Sequence, residues 1–240
     1  MDKMFKLCIL EAGYINPALK DNYPPYSHLF KDFLKCNLRK WNVSSYRLYR
    51  SEFPHNVNQF DGFIITGSSF GVYENYFWII KTIRLINQII NKKKQLVGIC
   101  FGHQIIIQAI NGLIEKSING WGAGIKKINF LKNKPWLPND IGYSKLISFH
   151  QDQVVQIPNF VDHLAGNDFC KYYSLSLDDI VFTIQGHPEF SKKYTLDLLN
   201  LRRESIGEPE YLKGVTELQK LDHEGELFGD IIANFLERKF

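Results

Sequence analysis

The sequence predicts an α/β fold with a mainly parallel central sheet, and three observations carry that expectation. Short apolar runs at 6–10, 62–66 and 95–99 each end at a small or turn-forming stretch, as buried strands do. Longer segments with apolar residues three and four apart follow, as amphipathic helices do. Over the first half the two kinds succeed one another as strand, helix, strand, strand, helix, strand, helix.

Each element has its own reason. Lys6 to Leu10 is an apolar run closed by Glu11-Ala12-Gly13. Pro24 to Leu38 carries Tyr26, Leu29, Phe30, Phe33 and Leu34 at helical spacing, with proline near its start. Val43 to Tyr49 alternates as a strand. Gly62 to Thr66 is a buried strand ending at Gly67-Ser68-Ser69. Phe77 to Ile90 is a helix by the recurrence of Ile79, Ile80, Ile83, Ile86 and Ile90. Gln95 to Ile99 is a strand and His103 to Ile110 a helix. After Gly112 short β-like runs are broken by Gly, Pro and Asn: Gly124 to Phe130, Leu146 to Phe149, Phe169 to Leu175 and Ile180 to Gln185. These are expected as further strands, some antiparallel, at one edge of the sheet. Lys192 to about Ser205 reads as a helix. Leu227, Ile231, Ile232, Phe235 and Leu236 mark a short amphipathic helix near the end.

Composition narrows the function classes. The chain has 240 residues, 45% hydrophobic and 22% charged, which is ordinary for a globular protein and too apolar for disorder. No apolar run approaches the ~18 residues needed to span a bilayer. The apolar stretch after Lys3 and Lys6 stops at Glu11, too short for a secretory signal. The net charge, 29 − 25 = +4, is scattered. Its one tight run, Lys92-Lys93-Lys94, sits at an expected helix end, where it complements the dipole. No nucleic-acid or membrane partner is expected. The four cysteines, Cys8, Cys36, Cys100 and Cys170, are dispersed and lack zinc-finger spacing, which suits a reducing cytoplasm rather than a disulfide framework. Cys8 in Leu7–Leu10 and Cys170 in Phe169–Tyr172 read as strand core.

Cys100 differs. In Gly98-Ile99-Cys100-Phe101-Gly102-His103-Gln104 a buried strand runs through Gly-x-Cys-x-Gly into a helix, a nucleophile elbow with Cys in place of Ser. The glycines are expected to permit the sharp turn and bring the helix close to the strand. The helix N-terminus favours the thiolate, and the Phe101 amide faces a developing oxyanion. A thiolate needs a proton shuttle held by a carboxylate. Of the seven histidines, His187 in Gly186-His187-Pro188-Glu189 is followed by an acid two residues on. In an extended segment Glu189 shares its side and grips one ring nitrogen. His103, three residues along the helix, points away from the sulfur. The Gly67-Ser68-Ser69 loop offers a second oxyanion donor. Gly120-Trp121-Gly122-Ala123-Gly124 lacks the Lys-Ser/Thr of a P-loop and reads as a loop near the pocket. No His/Cys/carboxylate cluster has metal-ligand spacing, and no cofactor is expected.

These motifs together resemble the class I glutamine amidotransferases of the Cys-His-Glu type. The order Cys, His, Glu also separates the chain from α/β-hydrolases. Within that family Thr66-Gly67-Ser68, Trp78, Gly120-Trp121, His150-Gln151-Asp152-Gln153-Val154 and Gln185–Glu189 look like the free-standing, GMP-synthase-like branch and the γ-glutamyl peptidases. The resemblance implies a flavodoxin-like three-layer sandwich. It implies a domain over 1–205, with 206–240 as a helical extension packed on it. It implies cleavage of a γ-glutamyl amide through a γ-glutamyl thioester on Cys100, with His187 as acid and base, Glu189 as its orienter, and the amides of Ser68 and Phe101 as oxyanion hole. Gly67, Gln104, His150 and Asp152 are implied as substrate contacts. Synthase-feeding members often carry Gly-Gly-Pro where this chain has Gly67-Ser68-Ser69, which points away from GMP synthase proper. The expected partner is a small γ-glutamyl substrate. The alternatives are a glutaminase subunit passing ammonia to a separate synthase, a γ-glutamyl transferase, and a non-catalytic binding module. The intact Cys100, His187 and Glu189 argue against the last. Only 40 residues follow the region of resemblance and no P-loop occurs, so the chain is expected to work without an attached synthase domain.

Overall fold

The computed structural model describes residues 4–38 and 40–237. Lys3, and residues 238–240 at the end of the expected extension, lie outside the described residues.

Five parallel strands form the centre of a nine-stranded sheet: β2 (Trp41–Arg47), β1 (Phe5–Glu11), β3 (Gly62–Ile65), β4 (Gln95–Ile99) and β11 (Val181–Ile184), side by side in that order. Beyond β11 the sheet continues antiparallel through β10 (Ser174–Leu177), β9 (Asp162–Gly166), β6 (Gly122–Phe130) and β7 (Tyr143–His150). A separate ribbon pairs β5 (Leu113–Lys116) with β8 (Asp152–Gln156). The antiparallel edge falls where the broken β-like texture places it.

Alternation along β1 divides the core. Leu7 and Ile9 face α1 (Tyr26–Leu34) and α6 (Gly225–Glu237), whereas Cys8 and Leu10 face α2 (Phe77–Asn91) and α3 (Phe101–Ala109). Helices on both faces make a three-layer sandwich. The Phe228, Ile231, Ile232, Phe235 and Leu236 side chains of α6 are all buried. A third cluster lies under α4 (Lys192–Ile206), where Tyr194, Leu198 and Leu199 pack on Ala123, Ile125 and Ile147 of the antiparallel edge.

The differences from expectation are local. Phe169 to Tyr172 is not strand: the Asn167 side chain accepts the amides of Phe169 and Cys170 at 3.1 and 2.7 Å and holds a bend there. Cys170 is nevertheless fully buried. Cys36, inside the helix expected over Pro24 to Leu38, lies in the turn after α1 and is exposed. Gly122–Gly124 begins β6 rather than forming a loop. A further helix, α5 (Glu208–Lys220), follows α4 after Gly207, with Pro209 in its first turn.

Candidate active site

The site begins with two neighbouring strand ends. Ile99 and Ile184 are register partners on β4 and β11, and the Cys100 amide donates to Ile184 O at 2.9 Å. Cys100 and the Gln185–Glu189 segment therefore leave the sheet side by side. Cys100 itself takes the turn, with φ 52° and ψ −103°, a conformation that costs a non-glycine residue of order 1–3 kcal/mol. Of the two jobs expected of the flanking glycines, the close approach of helix to strand is the one they do. Neither has positive φ. A Cβ on Gly102 would stand 2.2 Å from Ile65 O, and one on Gly98 2.6 Å from Gly102 O. They let α3 close on β3 and β4, and that packing holds Cys100 in its turn.

His187 meets Glu189 by another route than an extended segment. The strand stops at Ile184, and Pro188-Glu189 is a turn. That turn places Glu189 Oε1 2.8 Å from His187 Nδ1, with the Glu189 side chain fully buried. The His187 amide is fixed on Ile147 O at 2.8 Å. The other side of the ring is hydrogen-bonded to Cys100. Burial opposes a charge on the imidazole, but the Glu189 carboxylate and then the Cys100 sulfur more than offset it and raise its pKa to about 10. The Cε1 edge of the ring abuts Gly67, where a Cβ would stand 2.8 Å from His187 Cε1. Phe190 is stacked on the ring at 3.9 Å between centroids and 7° between planes.

Gly67 and Ser68 form the loop after β3. Thr66 ties that loop to the end of β1: its Oγ1 accepts the Ala12 amide at 3.0 Å and donates to Gly67 O at 3.1 Å. Ser68 and Cys100 line one cavity of about 330 Å³ together with Gln104, His150, Asp152 and His187. Phe101, at the first position of α3, is buried against Trp78 with ring centroids 5.6 Å apart. Gln104 donates its amide protons to Asp152 O at 2.8 Å and Gln185 Oε1 at 3.1 Å, so it braces the wall. His150 is bonded through Nδ1 to Asp152 O at 3.1 Å. Burial first, with the His187 and Lys126 charges added, lowers its pKa to about 3. It is a neutral group at ordinary pH. The Asp152 carboxylate is hydrogen-bonded to Tyr73, whose phenol is pushed up to about 12 by burial and by that contact. His103 is buried away from the sulfur, with Nδ1 2.8 Å from Thr183 Oγ1.

Several lining residues have no motif to announce them. Phe190, Tyr194 and Arg202 belong to the α4 segment, Glu74 to the connection before α2, and Lys116 to the end of β5, whereas Trp121, in the loop before β6, was expected near the pocket. The one available signal is the four-residue spacing of Phe190, Tyr194, Leu198 and Arg202 directly after His-Pro-Glu. Among the described residues no group of three His, Cys, Asp or Glu side chains is placed to hold a metal ion.

Comparison with known proteins fits this geometry. Residues 18–199 match the family model described as glutamine amidotransferase class-I. Gamma-glutamyl peptidase 3 of Arabidopsis thaliana is 29% identical over 190 residues, 76% of either chain. Gamma-glutamyl peptidase 4 of the same plant is 27% identical over 229 residues, 92% of this chain and 90% of that one. A glutamine amidotransferase crystal structure from Thermotoga maritima superposes with a TM-score of 0.76 over 98% of this chain and 97% of the other. At 13% identity that likeness shows the fold alone.

Proposed function

The chain belongs to the class-I glutamine amidotransferase family, and from that premise we propose that it cleaves a γ-glutamyl amide through a thioester on Cys100. The observation that carries the reading is the buried relay of Cys100, His187 and Glu189 at the floor of one cavity. The Cys100 thiolate attacks the γ-carbonyl carbon, and the amides of Ser68 and Phe101 receive the oxyanion. His187, kept protonated by Glu189, gives its proton to the leaving nitrogen as the C–N bond breaks. It then takes a proton from the water that opens the thioester. Gly67, whose missing side chain leaves room for the ring, keeps the base against the nucleophile. Gln104, His150 and Asp152 shape the end that takes the glutamyl α-amino and α-carboxylate groups.

The peptidase names of the Arabidopsis relatives favour a γ-glutamyl peptide over glutamine as substrate. A solitary enzyme is favoured by α6, whose apolar face is occupied by the chain's own core and is not open to dock a synthase. We keep the division into a domain over 1–205 and a covering extension over 206–240 on the same ground. Among the described residues no helix is long and apolar enough to cross a membrane. Four free cysteines suit a cytoplasmic setting. The test is turnover of the purified chain on glutamine, glutathione and γ-glutamyl dipeptides. Release of free amine and glutamate without added protein is expected. No turnover until a second protein is supplied, followed by ammonia transfer, would replace the hydrolase with an amidotransferase subunit.

A further inference from the structure

Phe190, stacked on His187, is the first step of a track. Its ring meets Tyr194 at 4.7 Å, and Tyr194, Leu198 and Arg202 follow four residues apart along one face of α4, all lining the cavity. Tyr194 and Leu198 are buried and Arg202 is half-buried. Neighbouring Arg203 is held by Glu208 through Nε at 2.7 Å and Nη2 at 2.5 Å. The Arg202 guanidinium has no ion pair or hydrogen-bond partner among the described residues. The cavity's other charged lining residues are Glu74, Asp152 and Lys116, besides the reacting groups. They supply both signs that a glutamyl α-ammonium and α-carboxylate require. Arg202 is left over.

We propose that Arg202 is a specificity-determining residue that binds the terminal carboxylate of a dipeptide leaving group lying along Tyr194 and Leu198. The inference rests on the reading under Proposed function. His187 hands its proton to the leaving nitrogen, so the leaving group starts beside His187 and Phe190, where the track starts. From Tyr194 to Arg202 the helix rises ~12 Å. Two extended residues cover ~7 Å, and the long arginine side chain reaches back across the rest. Ammonia reaches none of it. The apolar body of the track, faced by Trp121 and Phe149, suits an apolar first residue in the leaving group. The bonds broken and made are those of the parent reaction: C–N breaks, C–S forms, and the His187 proton leaves on the dipeptide amine.

The experiment compares γ-Glu-Leu-Gly with its C-terminal carboxamide, and includes γ-glutamyl anilide. The unmodified protein should prefer the free acid in kcat/KM by about tenfold or more. In Arg202→Gln the ratio should fall to about one, and Arg202→Lys should restore part of it. A ratio near one in the unmodified protein, with the anilide still cleaved, overturns the role of Arg202 and leaves the hydrolase reading standing. If no γ-glutamyl compound is cleaved, that reading falls, and calorimetric binding of the same peptide pair to Cys100→Ala decides the inference. Tighter binding of the acid supports it, and equal binding overturns it.

Discussion

Replacing Glu189 by Gln keeps the shape of the site and removes one charge. The Glu189 carboxylate is buried, with Oε1 on His187 Nδ1 at 2.8 Å and Oε2 without a hydrogen-bond partner among the described residues. Among the described residues its one side-chain hydrogen bond is to the imidazole, on which its charge acts. At ~4 Å between charge centres and an effective dielectric of ~20 the attraction is ~4 kcal/mol. At 1.36 kcal/mol per pH unit that is about three units. Because the carboxylate favours the charged ring, His187 holds its proton up to about pH 10. Without it the proton should leave near pH ~7. The acid needed for the leaving amine is then lost as pH rises, so the deficit grows with pH. From these two values the Gln variant should be down about tenfold at pH 8 and about a hundredfold at pH 9, with the deficit vanishing toward pH 5. The assay is kcat/KM for γ-glutamyl anilide between pH 5 and 10.5, with thermal melting to check the fold. A deficit of the same factor at every pH would mean that Glu189 only holds the ring in place, and would refute the electrostatic account.

Three further outcomes are expected. A glutamine-like electrophile should modify Cys100 alone and abolish turnover, because burial pushes the Cys8 and Cys170 thiols well up and exposed Cys36 lies outside the cavity; peptide mapping that finds Cys8 or Cys170 equally labelled would contradict this. Phe190→Leu should cost ~1 kcal/mol of ring stacking, about fivefold in kcat with KM little changed, and unaltered kcat would show the stack to be incidental. Gly67→Ala should push the His187 ring off its seat and lower kcat by about a hundredfold at nearly constant melting temperature, since ~1 Å of misplacement suffices for that loss; full activity would show that the ring has room to move.

What the sequence by itself determined follows from interactions between neighbours along the chain. Apolar alternation and helical spacing marked β1, α2 and β4 to within a few residues, because those elements bury continuous faces. The Gly-x-Cys-x-Gly elbow was legible for the same reason: its close approaches to Ile65 and Gly102 leave no room for a side chain, so the constraint is written in the residues themselves. His-Pro-Glu was legible as a pair, although the turn that joins the two side chains was not. The bend at Asn167–Cys170 escaped because one side chain's two hydrogen bonds outweigh a strand-like run. Tertiary structure alone decided the rest. That the His187 ring seats against Gly67, that Arg202 lines the cavity, and which loops close that cavity all depend on groups far apart in the chain. Their contacts exist only once the sheet order has brought β4, β11 and α4 together, and no local spacing encodes that order.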